Sequence, residues 1–129
     1  MEKEYTSELL LSFGEDGKKL VPVVTQDFIT REILILAFAD KEAFEETIRS
    51  GYATYFSRSR NEIWKKGLTS GDLLKIEEIR INCEQDSLLY LVTPVGKGAC
   101  HAKRKNGLPH TSCYYRRISG DNRLEFIEE

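Results

Sequence analysis

The chain has 129 residues, 40% of them hydrophobic and 31% charged, the balance of one globular domain rather than of a disordered or membrane-embedded chain. Nineteen Lys and Arg stand against 21 Asp and Glu, so the overall positive field of a general nucleic-acid binder is missing and any anion site has to be local. The start, MEKEYTSE, does not read as a secretory signal and the longest apolar run, ILILAFA, is too short to cross a bilayer; the expected location is cytoplasmic, with no membrane or nucleic-acid partner.

In chain order, LVPVVTQD (20–27) and EILILAFA (32–39) are short β-branched-rich runs joined by a polar link and predict a hairpin. DKEAFEETIRSG (40–51) predicts a helix. Asp40 can cap it, Glu42, Glu45 and Glu46 favour its positive end, Arg49 suits the other end and Gly51 stops it. Ala43, Phe44, Thr47 and Ile48 recur at helical spacing and form the expected core-facing stripe. YATYFS (52–57) and EIWKK (62–66) predict strands, with GLTSGD (67–72) as a loop. LLKIEEIRINCE and DSLLYLVTPV form the strongest strand pair, Glu77 and Glu78 interrupting the alternation as at a bulge. SCYYRRI and RLEFIE flank the turn signal SGDN as two more strands. The fold class is α+β: a small single domain over residues 1–129, mainly antiparallel strands with one principal helix, whose strand order the sequence does not reveal.

Three places concentrate chemistry. In SRSRNEIWKKGLTSG (57–71), Arg58, Arg60, Lys65 and Lys66 offer charge and Ser57, Ser59, Thr69 and Ser70 offer hydrogen bonds, while Gly67 and Gly71 allow close backbone approach. Phosphate binding needs that mixture; a solvated strand edge, with Trp64 as a core residue, is the plainer alternative. In NCEQD an extended backbone would point Asn82, Glu84 and Asp86 to one face, as an oxygen-lined cation site, and Cys83 to the other; a polar strand end with a buried cysteine is the alternative. In ACHAKRKNGLPHTSC, Cys100 and Cys113 bracket a basic loop and His101 adjoins the first thiol.

With Cys83 these thiols make an odd set of three, which cannot all pair as disulfides. Three protein ligands leave a tetrahedral zinc one open position for water, whereas a closed structural site takes four. Three thiolates make the ion a poorer Lewis acid than three imidazoles do, so the water benefits from a nearby base, and His101 is placed to serve. Inert core cysteines are the competing reading, and His110 is either a plain loop residue or a fourth ligand that would close the site.

The segments YFSRSR, WKKGLTSG, CEQD, GACH and SCYYR, in this order behind the hairpin–helix beginning, resemble phosphoribosyl-AMP cyclohydrolases of histidine biosynthesis over roughly residues 10–118, with 119–129 as a C-terminal extension. The resemblance implies an intertwined homodimer that hydrolyses the C6–N1 bond of the adenine ring of N1-phosphoribosyl-AMP, a small-molecule nucleotide. It implies zinc held across the dimer by Cys83, Cys100 and Cys113, magnesium at the positions of Asn82, Glu84 and Asp86, and His101 as base. It also gives Ser57 to Gly71 the two terminal phosphates, with Trp64 free to stack on the purine.

Two features depart from the family pattern. Asn82 is neutral and Glu84 one methylene longer where three aspartates are usual, and the Cys100–Cys113 interval is longer, its extra residues basic and turn-rich. Another N-alkylated purine nucleotide is therefore an alternative substrate, and a non-catalytic zinc-stabilised nucleotide- or RNA-binding module an alternative of a different class.

Overall fold

The computed structural model describes residues 2–129. β1 (Val21–Asp27) and β2 (Ile33–Ala39) pair antiparallel from Val21 opposite Ala39 to Gln26 opposite Ile33. Asp27 builds the link between them: its Oδ1 accepts the amides of Ile29 and Thr30 at 2.8 and 2.9 Å, an Asx turn of the kind aspartate favours. β5 (Leu74–Ile81) and β6 (Leu88–Pro94) are also antiparallel, and their register shifts between Ile76 and Glu78, so Glu77 is the extra residue of the expected bulge.

β1 and β6 lie side by side in parallel, Val23 opposite Leu88 through Asp27 opposite Val92, which sets the sheet order β2-β1-β6-β5. A parallel pair needs a long crossover, and here the helix and four strands supply it. The two central strands hold the core: Val21, Val23, Leu88, Tyr90, Leu91 and Val92 are buried, and the buried Thr25 hydroxyl meets the Tyr55 hydroxyl at 2.7 Å.

α1 (Lys41–Ser50) begins and ends where its punctuation predicts. The Asp40 carboxylate accepts the Ala43 amide at 2.8 Å, a cap worth about 1 kcal/mol. Gly51, at φ 78°, donates its amide to the Thr47 carbonyl and ends the helix. The buried stripe is narrower than predicted. Ala43 and Thr47 are buried and Phe44 packs on Phe13, with ring centroids 5.6 Å apart, but Ile48 is 59% exposed. The reason is the anchorage of Thr47, whose hydroxyl donates to the Ala43 and Thr54 carbonyls and accepts the Thr54 amide; this centres the contact on the 43–47 line and turns position 48 outward. No helix of the described residues is long and apolar enough to cross a membrane.

β3 (Thr54–Ser57) and β4 (Glu62–Lys65) form a hairpin that spans the sheet from one edge to the other. At its base, the Ala53 amide donates to the Leu74 carbonyl and the Ile76 amide to the Gly51 carbonyl, along the outer edge of β5. At its tip, the Arg58 guanidinium lies 4.2 Å over the Phe38 ring of β2. β7 (Arg116–Ile118) and β8 (Leu124–Phe126) form a last, exposed hairpin.

Candidate active site

The loop after β4 is drawn inward. The Lys66 amide donates to the Ala53 carbonyl, the Gly71 amide returns to the Gly67 carbonyl, and the Ser70 hydroxyl accepts the Asp72 amide. Gly67 is required twice over: its φ is +80°, and a Cβ there would sit 2.1 Å from the Asp72 carbonyl carbon. Gly67→Ala is expected to cost about 3 kcal/mol or more, because left-handed strain adds to a clash with backbone. Gly71, at φ +86° with open space around it, isolates the strain alone, and Gly71→Ala should cost about 1 kcal/mol. Urea denaturation of the two variants measures the difference; equal losses would refute the close approach.

Lys66 is 4% exposed. Burial holds its pKa below the usual lysine range, against the opposing pull of the Asp72 carboxylate and of the Cys113 and Cys100 sulfurs. A cation with no carboxylate in bonding contact, its Nζ only 3.5 Å from the Asp72 carbonyl, sits beside two thiols.

Those thiols come from a two-armed ribbon. The Ala99 amide donates to Thr111, Cys100 to His110, His110 to Ala102 and Arg104 to Leu108, so residues 99–104 run antiparallel to 108–111. Cys113 follows and donates its amide to the Leu34 carbonyl on the edge of β2. Cys100 is buried and Cys113 half-buried. Burial, then the adjacent Cys100 sulfur, pushes the Cys113 thiol up to about 12, with Lys66 acting the other way. Without a cation the Cys113 thiol keeps its proton, and a divalent ion would have to displace it.

Two clefts meet at this point. One, of about 430 Å³, brings Arg60, Trp64, Lys66, Gly67, Thr69 and Ser70 together with Cys100, His101 and Lys103. The other, of about 510 Å³, lies between β2 and β3 and is lined by Ser57, Arg58 and Cys113, sharing Arg60, Trp64 and His101 with the first. His101 is exposed where the two meet. Trp64 lines both clefts and packs its ring 6.0 Å from that of Tyr55. Ser59 and Gly71 line neither cleft; the Ser59 hydroxyl lies 3.4 Å from that of Ser57.

The NCEQD segment is not an extended strand. Asn82 Oδ1 accepts the amides of Asp86 and Ser87, both at 2.9 Å, its Nδ2 donates to Asp86 Oδ1, and Gln85 turns through φ 53°. The backbone closes into a tight β5–β6 turn, so Asn82, Glu84 and Asp86 do not share a strand face and Cys83 has no opposite one. Cys83, Glu84 and Asp86 are all exposed there. No three His, Cys, Asp or Glu side chains among the described residues gather as a metal site, so one copy of the chain brings together two of the three thiols. His110 is engaged elsewhere, its Nδ1 3.1 Å from Glu128 Oε1 and its ring stacked on Tyr115 at 3.7 Å.

Two residues escaped the sequence reading. Gln85, buried in the same turn, accepts the Leu10 amide at 2.6 Å and donates to the carbonyls of Lys3 and Glu8, tying the N-terminal segment to the turn that presents Cys83. Glu128 binds the Cys100–Cys113 ribbon from the C-terminal end. No local pattern marks either, because each acts on backbone distant in sequence.

A family model described as phosphoribosyl-AMP cyclohydrolase matches residues 35–115, which include the loop after β4, the Cys83 turn and the ribbon. The chain is 49% identical over 111 residues to the phosphoribosyl-AMP cyclohydrolase of Archaeoglobus fulgidus, covering 86% of this chain and 94% of that one. It is 46% identical over 111 residues to that of Desulfatibacillum aliphaticivorans, covering 86% and 83%. Against the histidine biosynthesis bifunctional protein HisIE of Aquifex aeolicus it is 44% identical over 117 residues, 91% of this chain but only 53%, about half, of that relative's length. With a family model matched across most of the fold and relatives near half identity over most of its length, the chain belongs to the phosphoribosyl-AMP cyclohydrolase family.

Proposed function

We propose that the protein hydrolyses the C6–N1 bond of the adenine ring in N1-phosphoribosyl-AMP, giving the formimino-aminoimidazole-carboxamide ribonucleotide of histidine biosynthesis in the cytoplasm, as a homodimer with zinc and magnesium. The observation that carries this reading is the cleft in which a basic, hydroxyl-bearing loop faces a thiol and a histidine.

The substrate carries a phosphate at each end. Arg60, Lys66, Thr69 and Ser70 supply charge and hydroxyls toward one of them, and Arg58 and Ser57, in the adjoining cleft, toward the other. The Trp64 face lies between the two groups, where a purine ring stacks. Glu84 and Asp86 are the exposed oxygens left for magnesium, since the Asn82 oxygen already takes two amides.

The donor set fits zinc when a second copy brings its exposed Cys83 turn to Cys100 and Cys113. Zinc bound there supplies the Lewis acidity that makes water a nucleophile near neutral pH. His101 then takes the proton of the attacking water and returns one to N1 as the C6–N1 bond breaks; C6 leaves as the carboxamide carbon and N1 as part of the formamidine. Lys66, itself buried beside them, offsets the negative charge that the thiolates bring.

Supplying phosphoribosyl-AMP with zinc and magnesium and following the absorbance change of ring opening tests the assignment. Turnover that disappears on zinc removal and returns with zinc is expected; protein that holds zinc yet never opens the ring would end the substrate assignment.

A further inference from the structure

The family match stops at residue 115, yet the last residues of the chain are tied to the ribbon that carries the site. Glu128 Oε1 accepts the Thr111 amide at 2.8 Å and lies 3.1 Å from His110 Nδ1, and Oε2 accepts the Thr111 hydroxyl at 2.7 Å. Beside it, the Lys105 amide donates to the Glu129 carbonyl at 2.8 Å and its Nζ to Glu129 Oε2 at 3.1 Å. One carboxylate therefore satisfies three donors on the returning arm of the ribbon, while its neighbour holds the tip.

The β7–β8 hairpin explains how Glu128 arrives there. Its strands are exposed and enclose no core, but Tyr115 stacks on Phe126 and accepts the Ile127 amide, which brings the chain end back against His110. The ribbon needs such a tie. Twelve residues separate Cys100 from Cys113, their tip is exposed, and a lone two-stranded ribbon is marginal in water. Partial burial raises the Glu128 pKa, but the Thr111, His110 and Arg104 contacts outweigh it and leave it below the usual carboxylate range, so the clasp is ionised near neutral pH.

We infer that Glu128 is a positioning residue: by holding His110 and Thr111 it fixes, through the backbone bonds of Cys100 to His110 and of Ala99 to Thr111, the arm that carries His101 and Lys103 to the cleft. This rests on the cyclohydrolase reading above. Glu128 touches no reacting atom, and its contribution passes through the ribbon.

The test compares zinc-loaded wild type with Glu128→Ala and Glu128→Gln, the latter keeping an acceptor for the Thr111 amide. Trypsin cleavage confined to Lys103, Arg104 and Lys105, resolved by fragment mass, should be roughly tenfold faster in the alanine variant and near wild type in the glutamine one, since cleavage follows the open population. In ring opening, kcat should fall about tenfold with alanine while KM changes less, and glutamine should recover most of it. Should Glu128→Ala fail to fold, Thr111→Val, which removes one of the three donors, should show the same two effects at about threefold. Unchanged tip cleavage overturns the clasp; faster cleavage with unaltered kcat overturns the positioning role. A wild type that never opens the ring condemns the functional reading instead, and the cleavage comparison still stands or falls by itself.

Discussion

Mixing a Cys83→Ser copy with a Cys113→Ser copy should restore about a quarter of wild-type turnover and of bound zinc, although each variant alone should lose both. The expectation follows from where the thiols lie. Cys100 and Cys113 meet beside Lys66, while Cys83 stands exposed on the β5–β6 turn and completes no site within its own chain. In the proposed two-fold dimer each site would take Cys83 from one copy and the other two sulfurs from its mate. A hybrid of the two variants then contains one site with all three cysteines and one with two serines. Random exchange makes about half of the dimers hybrid, and each contributes one working site of two, hence the quarter.

Refolding the variants separately and together, then measuring zinc and the absorbance change of ring opening, reads the result. Silence in the mixture would show that the three thiols do not act across two chains, and full activity of Cys83→Ser alone would remove that residue from the site. Cys100→Ser should behave as Cys113→Ser does, since both sulfurs sit on the same side of the proposed interface.

The same distinction, between local signals and contacts made over long stretches of chain, separates what could be read in the sequence from what could not. α1 was legible to the residue because Asp40 and Gly51 act on backbone within a turn of themselves, and the bulge at Glu77 because two adjacent carboxylates break a period of two. The parallel contact of β1 with β6 was not, since it joins residues more than sixty positions apart and leaves no local period. NCEQD was misread because alternation was carried past the end of β5. The better signal lay in the residue types, an asparagine with an aspartate four positions on: the Asn82 oxygen accepts the amides of Asp86 and Ser87, and its Nδ2 donates to the Asp86 carboxylate. In the site, Lys66, Trp64 and His101 stood in recognisable segments, and the cleft brings them together. Gln85 and Glu128 also lay in segments read from the sequence but carried no role there, because their partners lie 75 to 82 and 17 to 18 residues away.

Replacing His101 with alanine should leave zinc bound and slow ring opening by roughly 10²- to 10⁴-fold, the range that a positioned acid–base group contributes. Its side chain makes no contact on which the fold depends, being exposed where the two clefts meet. The flanking backbone is held without it, Cys100 by the His110 carbonyl and Ala102 by the His110 amide, so the thiol next to it keeps its place. Loss of rate with retained metal therefore isolates proton transfer from metal binding, and imidazole added to the variant should return part of the rate because the vacated space opens to solvent at both clefts. Zinc content, kcat and imidazole rescue are measured on the same preparation. An alanine variant as fast as wild type would deprive the reaction of its base, and one that sheds zinc would make His101 a ligand rather than a proton carrier, leaving the attacking water to be deprotonated by another group in the cleft.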